Sequence, residues 1–222
     1  MNMNVSFESK IGASNLKMLV IYLFLFNSAW MLRELWLVQY IEPLSEVTAT
    51  LLSACMKVIV WILPVWLYIK YYLHMNPIKY LKMDNVYKGV RFGLAFSLLL
   101  GLYFTFNVYI VNNQSFNFHL SLSNYINGIL LVGITEEIVF RGFVLQELNK
   151  RLSFWKANVI TSLLFLIIHY GIWLHDGVFF AIGSHIYIFL VGLFFGFVFK
   201  KSGSLWAVVI LHSFHNLFVS MM

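Results

Sequence analysis

Charge is what this chain has least of. Only 11% of its 222 residues are Asp, Glu, Lys or Arg, against roughly 25% in an average soluble domain. With 61% hydrophobic residues, that shortage excludes a water-soluble surface. There is one cysteine, Cys55, which excludes an intrachain disulfide and a Cys-rich metal cluster and leaves the redox compartment unmarked. No long internal repeat or low-complexity tract is visible, so a repeat-built transporter gains no direct support. The first fifteen residues are polar, and the apolar run after Lys17 shows no small-residue cleavage site, so a cleavable signal peptide is not expected.

What is present is a succession of apolar runs of about 20 residues from Leu19 onward, each long enough to cross a bilayer. A spanning segment must satisfy its own backbone hydrogen bonds, and runs of this length are too long for barrel strands. The expected fold is therefore all-α: a polytopic transmembrane helical bundle of about seven spans. These cover roughly residues 18–37, 48–73, 90–111, 125–148, 155–174, 178–199 and 204–221.

The basic residues are sorted between the connections. Of the 15 Lys and Arg, one side holds Lys10 and Lys17; Lys70, Lys79, Lys82, Lys88 and Arg91; Lys150, Arg151 and Lys156; and Lys200 and Lys201. The opposite connections carry Glu42, Glu46 and Asp176 and no basic residue. The positive-inside rule then places the N-terminus in the cytoplasm and the C-terminus outside. The formal charge of +6 follows this topology and forms no nucleic-acid-binding face. The partners expected are the lipid bilayer and a membrane-associated protein or peptide, with no nucleic acid.

Few ionisable residues fall within the spans. Arg33 and Glu34 sit near the outer end of the first, suited to snorkelling or local pairing, and Lys57 has no assigned role. Pro64 is expected to kink the second helix, and Gly192 and Gly196 to permit close helix packing.

The fourth span is the unusual one. Thr135-Glu136-Glu137-Ile-Val-Phe-Arg141-Gly142 puts two adjacent carboxylates near the bilayer centre, where even one charge costs about 3 kcal/mol or more. Arg141 lies one turn beyond Glu137 on the same face, whereas Glu136 is rotated by about 100°. Glu137 held by Arg141 is the structural member; Glu136, turned toward a polar cavity, is the candidate base. His169 in the fifth span and His212 and Asn216, one turn apart in the seventh, bring further polar groups to comparable depths, with His215 beside them.

Peptide hydrolysis needs an activated water, a place for the oxyanion and a proton for the leaving amine. Glu136 and His169 are assigned the water, His212 and Asn216 the oxyanion. Ser213 is a rival nucleophile that is set aside because it faces another direction. Zn²⁺ or another divalent ion held by Glu136, His169 and His212 would use the same residues. The sequence leaves this open and favours the metal-free form slightly, for want of a His-Glu-x-x-His helix. His74, His119, His175 and His185 fall in loops or near helix ends.

At these residues the sequence resembles the CAAX-protease and bacteriocin-processing family, also called the Abi family, of intramembrane glutamic-type or metallo-endopeptidases. Glu136 to Arg141 is similar to its Glu-Glu-x-x-x-Arg motif, Phe165 to His169 to its Phe-x-x-x-His motif, and His212 to Asn216 to its His-x-x-x-Asn motif. Gly192-Leu-Phe-Phe-Gly196 and Gly203-Ser-Leu-Trp206 resemble its last two helices. The resemblance covers Tyr125 to Leu217. It divides the chain into N-terminal membrane helices of unassigned specificity, residues 1–120, and a catalytic helical core, residues 121–222, within one bundle.

The resemblance implies a CAAX-type endopeptidase with Glu136, Glu137, Arg141, His169, His212 and Asn216 in its site. It implies proteolysis of prenylated CAAX proteins in eukaryotic relatives, and peptide maturation or bacteriocin immunity in bacterial ones. Lys-, Asn- and Phe-rich usage points to an AT-rich bacterial genome and so to a bacterial plasma membrane. The alternatives are a non-catalytic bacteriocin-immunity or scaffold protein of the same fold, and an ion or proton transporter using the buried carboxylates as a relay.

Overall fold

The computed structural model describes residues 16–222; Lys10 and the rest of the polar leader lie outside the described residues. Eight helices follow one another: α1, Leu16–Ile41; α2, Glu46–Tyr72; α3, Pro77–Tyr80; α4, Val86–Val111; α5, residues 124–149; α6, Phe154–His175; α7, Ile182–Ser202; and α8, Leu205–Ser220. No strand occurs among the described residues. The all-helical polytopic bundle expected from the apolar runs is the fold observed.

Five helices, α1, α2, α4, α6 and α7, are long and apolar enough to cross a membrane by themselves. The remaining two of the seven expected spans differ for physical reasons. Helix α5 carries Glu136, Glu137, Arg141 and Glu147, which lower its hydropathy, but all four are buried inside the protein. Helix α8 has 16 residues, about 24 Å at 1.5 Å per residue. The sixth span begins at Ile182 rather than near 178, because residues 178–181 form a turn closed by Ala181 N–H on Val178 O.

Helix α5 sits at the centre: from Gly133 to Leu148 nearly every side chain is buried. Helix α8 packs along α4 and α5, α6 along α7, and α1 and α2 close the other side of α5. The outward faces of α1, α2, α4 and α7 display Phe24, Leu51, Ile59, Leu98, Leu102 and Leu190 to the surroundings. In water such faces would be untenable; against acyl chains they cost nothing.

The contact of α6 with α7 is built on glycine. A Cβ at Gly196 would stand 1.8 Å from Asn158 Oδ1, and one at Gly192 3.0 Å from Ser162 Cβ. The gap lets Asn158 Nδ2 donate to Leu193 O at 2.9 Å. Pro64, with no N–H to give, follows a widened helical turn over Val58–Ile62 in α2.

The charge pattern makes the topology testable. Reporters fused after Lys82, Arg151 and Lys201 are expected on the cytoplasmic side, and those after Glu42, Asn113 and Asp176 outside. Two or more reversed reporters would overturn the seven-span orientation.

Candidate active site

The site is assembled on α5. Its backbone widens into i→i+5 turns over Asn124–Leu131 and Ile138–Val144, on either side of the regular segment Val132–Glu137. Such turns recur at functional positions of helices because they re-aim side chains without breaking the hydrogen-bond ladder. The acidic pair ends the regular segment, midway along α5.

Glu137 and Arg141 form a fully buried ion pair, Arg141 Nη1 to Glu137 Oε1 at 2.8 Å. The guanidinium also donates to Gly192 O at 2.9 Å and lies 4.4 Å from the centre of the Phe165 ring and 5.4 Å from that of Phe195. It thereby ties α5 to α6 and α7. Buried charge is tolerable only when paired and hydrogen-bonded, and here two aromatic faces add cation–π contacts.

The same Glu137 oxygen is 2.8 Å from His212 Nδ1 on α8. A carboxylate can only accept, so Nδ1 carries the proton and, in the neutral ring, Nε2 carries the lone pair. That Nε2 faces Glu136 Oε2 at 3.9 Å. Glu136 Oε2 is buried and has no hydrogen-bond partner among the described residues. Glu137 thus acts as the orienting group of His212, a link the i, i+4 spacing to Arg141 did not disclose.

His169 occupies a tightened turn of α6. Its main-chain N–H donates to Leu166 O, three residues back, while the ring Nδ1 meets the Phe165 carbonyl at 2.7 Å. A carbonyl only accepts, so this contact fixes the tautomer and leaves Nε2 as an acceptor. Asn216 donates from Nδ2 to Gly128 O at 2.9 Å, and its Oδ1 accepts from His215 Nδ1 at 3.1 Å. Because that nitrogen must donate, His215 Nε2 accepts from the Tyr187 hydroxyl at 2.6 Å. A chain of directed hydrogen bonds from α7 through His215 thus sets the Asn216 amide against α5.

These groups surround one cavity of about 310 Å³, lined by Glu136, His169, Asn216, Asn127, Lys57 and Arg33 among others. His212 reaches it through the Glu136 contact, whereas Glu137 and Arg141 lie behind it. Ser213 does not line it and packs against Gly133, where an added Cβ would be 2.3 Å from Ser213 Oγ. Of the remaining histidines, His175 pairs with Asp176 and His185 with Ala181 O, both at the rim of the bundle.

Two contributions come from helices for which the sequence suggested no chemistry. The Arg33–Glu34 pair forms at 2.7 Å, yet it lines the cavity rather than the membrane surface. Lys57 is 8% exposed, donates to Asn127 O at 2.6 Å, and lines the same cavity as Glu136. Its signal in the sequence was the bare fact of a lysine in mid-span. Nothing in the sequence signalled Asn127, Tyr187 or the part played by His215.

No group of three His, Cys, Asp or Glu side chains among the described residues is arranged to hold a metal ion. Glu136 and His212 approach each other, but His169 does not complete a ligand set with them in this arrangement. The residues as placed do not fit a three-ligand metal centre.

Residues 118–218, just under half of the chain, match the family model Rce1-like, described as type II CAAX prenyl endopeptidase Rce1-like. The likeness is confined to this segment. No curated protein and no solved structure matched the chain. The matched segment contains Glu136, His169, His212 and Asn216. The cavity wall formed by Arg33, Glu34, Ser53 and Lys57 lies outside it.

Proposed function

We propose that the protein is an intramembrane endopeptidase that hydrolyses peptide bonds of membrane-associated proteins or peptides. The observation that carries this reading is the unpartnered Glu136 carboxylate oxygen in a buried polar cavity, 3.9 Å from His212 Nε2, with His169 and Asn216 on the same walls. The Rce1-like family brings the lipid-anchored peptide as a substrate form, and a bacterial plasma membrane is the setting that the Lys-, Asn- and Phe-rich composition suggests.

Water in the cavity gives a proton to Glu136 and the resulting hydroxide adds to the scissile carbonyl. The second Nδ2–H of Asn216, left over after the bond to Gly128, donates to the oxyanion. With Nδ1 engaged by Glu137, neutral His212 can only accept through Nε2. It joins the oxyanion donors only while the proton taken by Glu136 is passed to its Nε2, 3.9 Å away, and hands that proton back before the amine leaves; the Glu137 carboxylate balances the imidazolium meanwhile. This narrows the role expected of His212. Collapse of the intermediate breaks the C–N bond, and the amine leaves with the proton held by Glu136 or returned through His169.

The cavity runs from Glu136 toward Ser123 and Ser53, the ends of α5 and α2 opposite the lysine-rich connections. On the positive-inside orientation, substrate enters from the external side, which the reporter fusions above test independently.

The test is cleavage of a membrane-delivered peptide library by the purified protein in liposomes, read by mass spectrometry. Asn216→Ala is expected to lower turnover by about 10²–10³, the usual cost of one oxyanion donor, with substrate capture less affected. Tyr187→Phe, which removes only the far end of the chain orienting Asn216, should lower it less. Wild-type turnover in Asn216→Ala would remove the assigned role, and no cleavage by the wild type would count against the endopeptidase reading.

A further inference from the structure

A second cavity, of about 460 Å³, opens where the three lysine-rich connections converge. It is lined by Lys79 and Lys82 between α2 and α4, Lys150 after α5, and Lys200 at the end of α7. Lys150 is paired with the buried Glu147 at 2.6 Å, and Glu147 also accepts from the Tyr80 hydroxyl. Lys82 and Lys200 face only rings, Phe199 at 4.9 Å and Phe154 at 4.1 Å. Among the described residues no carboxylate forms an ion pair with Lys79, Lys82 or Lys200.

The arrangement is rigid. Lys82 adopts a left-handed backbone, φ 55°, a conformation costly for a residue with a side chain and kept only where its surroundings enforce it. The enforcing bonds are Leu205 N–H to Lys82 O at 3.0 Å, Met83 N–H to Ile78 O at 2.9 Å and Trp206 Nε1–H to Met83 O at 2.8 Å. Partial burial holds the Lys82 ammonium below the usual lysine range, and among the described residues no carboxylate offsets that cost. The floor is apolar, from Leu145, Phe154 and Phe199, and Met75 and Ile78 are exposed beside it. Asn149 adds an exposed amide to the lining.

We infer that this cavity binds the phosphate headgroup of an anionic phospholipid of the cytoplasmic leaflet, with the three uncompensated lysines on the phosphate and the acyl chains running past Met75 and Ile78. A phosphate diester supplies the missing negative charge, and only a lipid also uses the apolar rim. Basic groups at the bilayer surface attract anionic lipid by about 1 kcal/mol each. A pocket that gathers several of them from three connections holds one headgroup rather than a diffuse layer.

The experiment titrates delipidated full-length protein in detergent with short-chain phosphatidylglycerol, short-chain phosphatidylcholine or inorganic phosphate. Phosphatidylglycerol is expected to bind more tightly than phosphatidylcholine. The double variant Lys82→Gln/Lys200→Gln should weaken it by about tenfold or more. Lys88→Gln/Arg91→Gln, which alters basic residues outside the cavity, should leave it unchanged. Should the double variant not fold, Lys79→Gln, at an exposed position, is expected to cost about fivefold. Equal binding of the two lipids, wild-type affinity in the cavity variants, or saturation by inorganic phosphate at the same concentration would each overturn the assignment, the last by showing a free-anion site.

Discussion

Glu136→Gln is expected to fold and to lose peptidase activity by about 10²–10⁴ or more, the range typical of losing positioned acid-base catalysis. The substitution keeps the size of the side chain and leaves an amide that cannot take a proton from water. Folding should survive because Glu136 makes no ion pair within hydrogen-bonding distance, the His212 ring nitrogen lying 3.9 Å from its carboxylate. Lys57, on the same cavity wall, keeps its bond to Asn127 O. The measurement is cleavage together with rescue of the cellular phenotype, each normalised to folded protein. A scaffold or immunity protein of the same fold predicts the reverse, full rescue by a variant that reaches the membrane. Undiminished cleavage by Glu136→Gln would end the catalytic assignment of this residue.

Arg141→Ala should fail differently, in folded yield as well as in activity. It leaves the Glu137 carboxylate fully buried with only His212 to face it, and removes the bond to Gly192 O and two aromatic contacts that join three helices. Removing one partner of a buried pair costs about 3–5 kcal/mol, a large share of the stability of most domains. Glu137→Gln should be destabilising in the same sense, with Arg141 now the uncompensated charge. Because both single variants strand a charge, the double variant Glu137→Gln/Arg141→Ala is expected to be less destabilised than the sum of the two. Wild-type yields for both single variants in detergent would remove the basis for calling the pair structural.

The two expectations separate neighbouring residues of one helix. Glu136 and Glu137 are chemically identical and adjacent, yet the first faces a cavity and the second faces Arg141 and His212. Their roles are divided by the 100° rotation between successive helical positions, not by anything in the side chains themselves.

Much of this was legible in the sequence. The scarcity of charge and the length of the apolar runs dictate helices in a membrane, because backbone groups in hydrocarbon must be satisfied within the segment. The i, i+4 spacing of Glu137 and Arg141 dictates their pairing, because residues one turn apart on a helix are neighbours whatever surrounds them. The depths of Glu136, His169, His212 and Asn216 follow from the same periodicity, which is why four residues from three helices could be named together.

Only the tertiary structure decided the rest, since contacts between residues far apart along the chain leave no periodic trace. Lys57 meets Asn127 seventy positions away and Tyr187 meets His215 twenty-eight positions away; neither spacing has a helical meaning. The tautomers of His169 and His212 depend on acceptors found at Phe165 O and Glu137, and with them the choice between donating to an oxyanion and accepting a proton. Arg33 and Lys57 join the cavity because α1 and α2 close over α5, and the lysines of three connections form one pocket because those helices end side by side. Local spacing fixed what each helix presents; the packing of α1, α2, α6 and α8 around α5 determined what each presented group meets, because helix packing depends on the shapes of whole surfaces rather than on any single repeat.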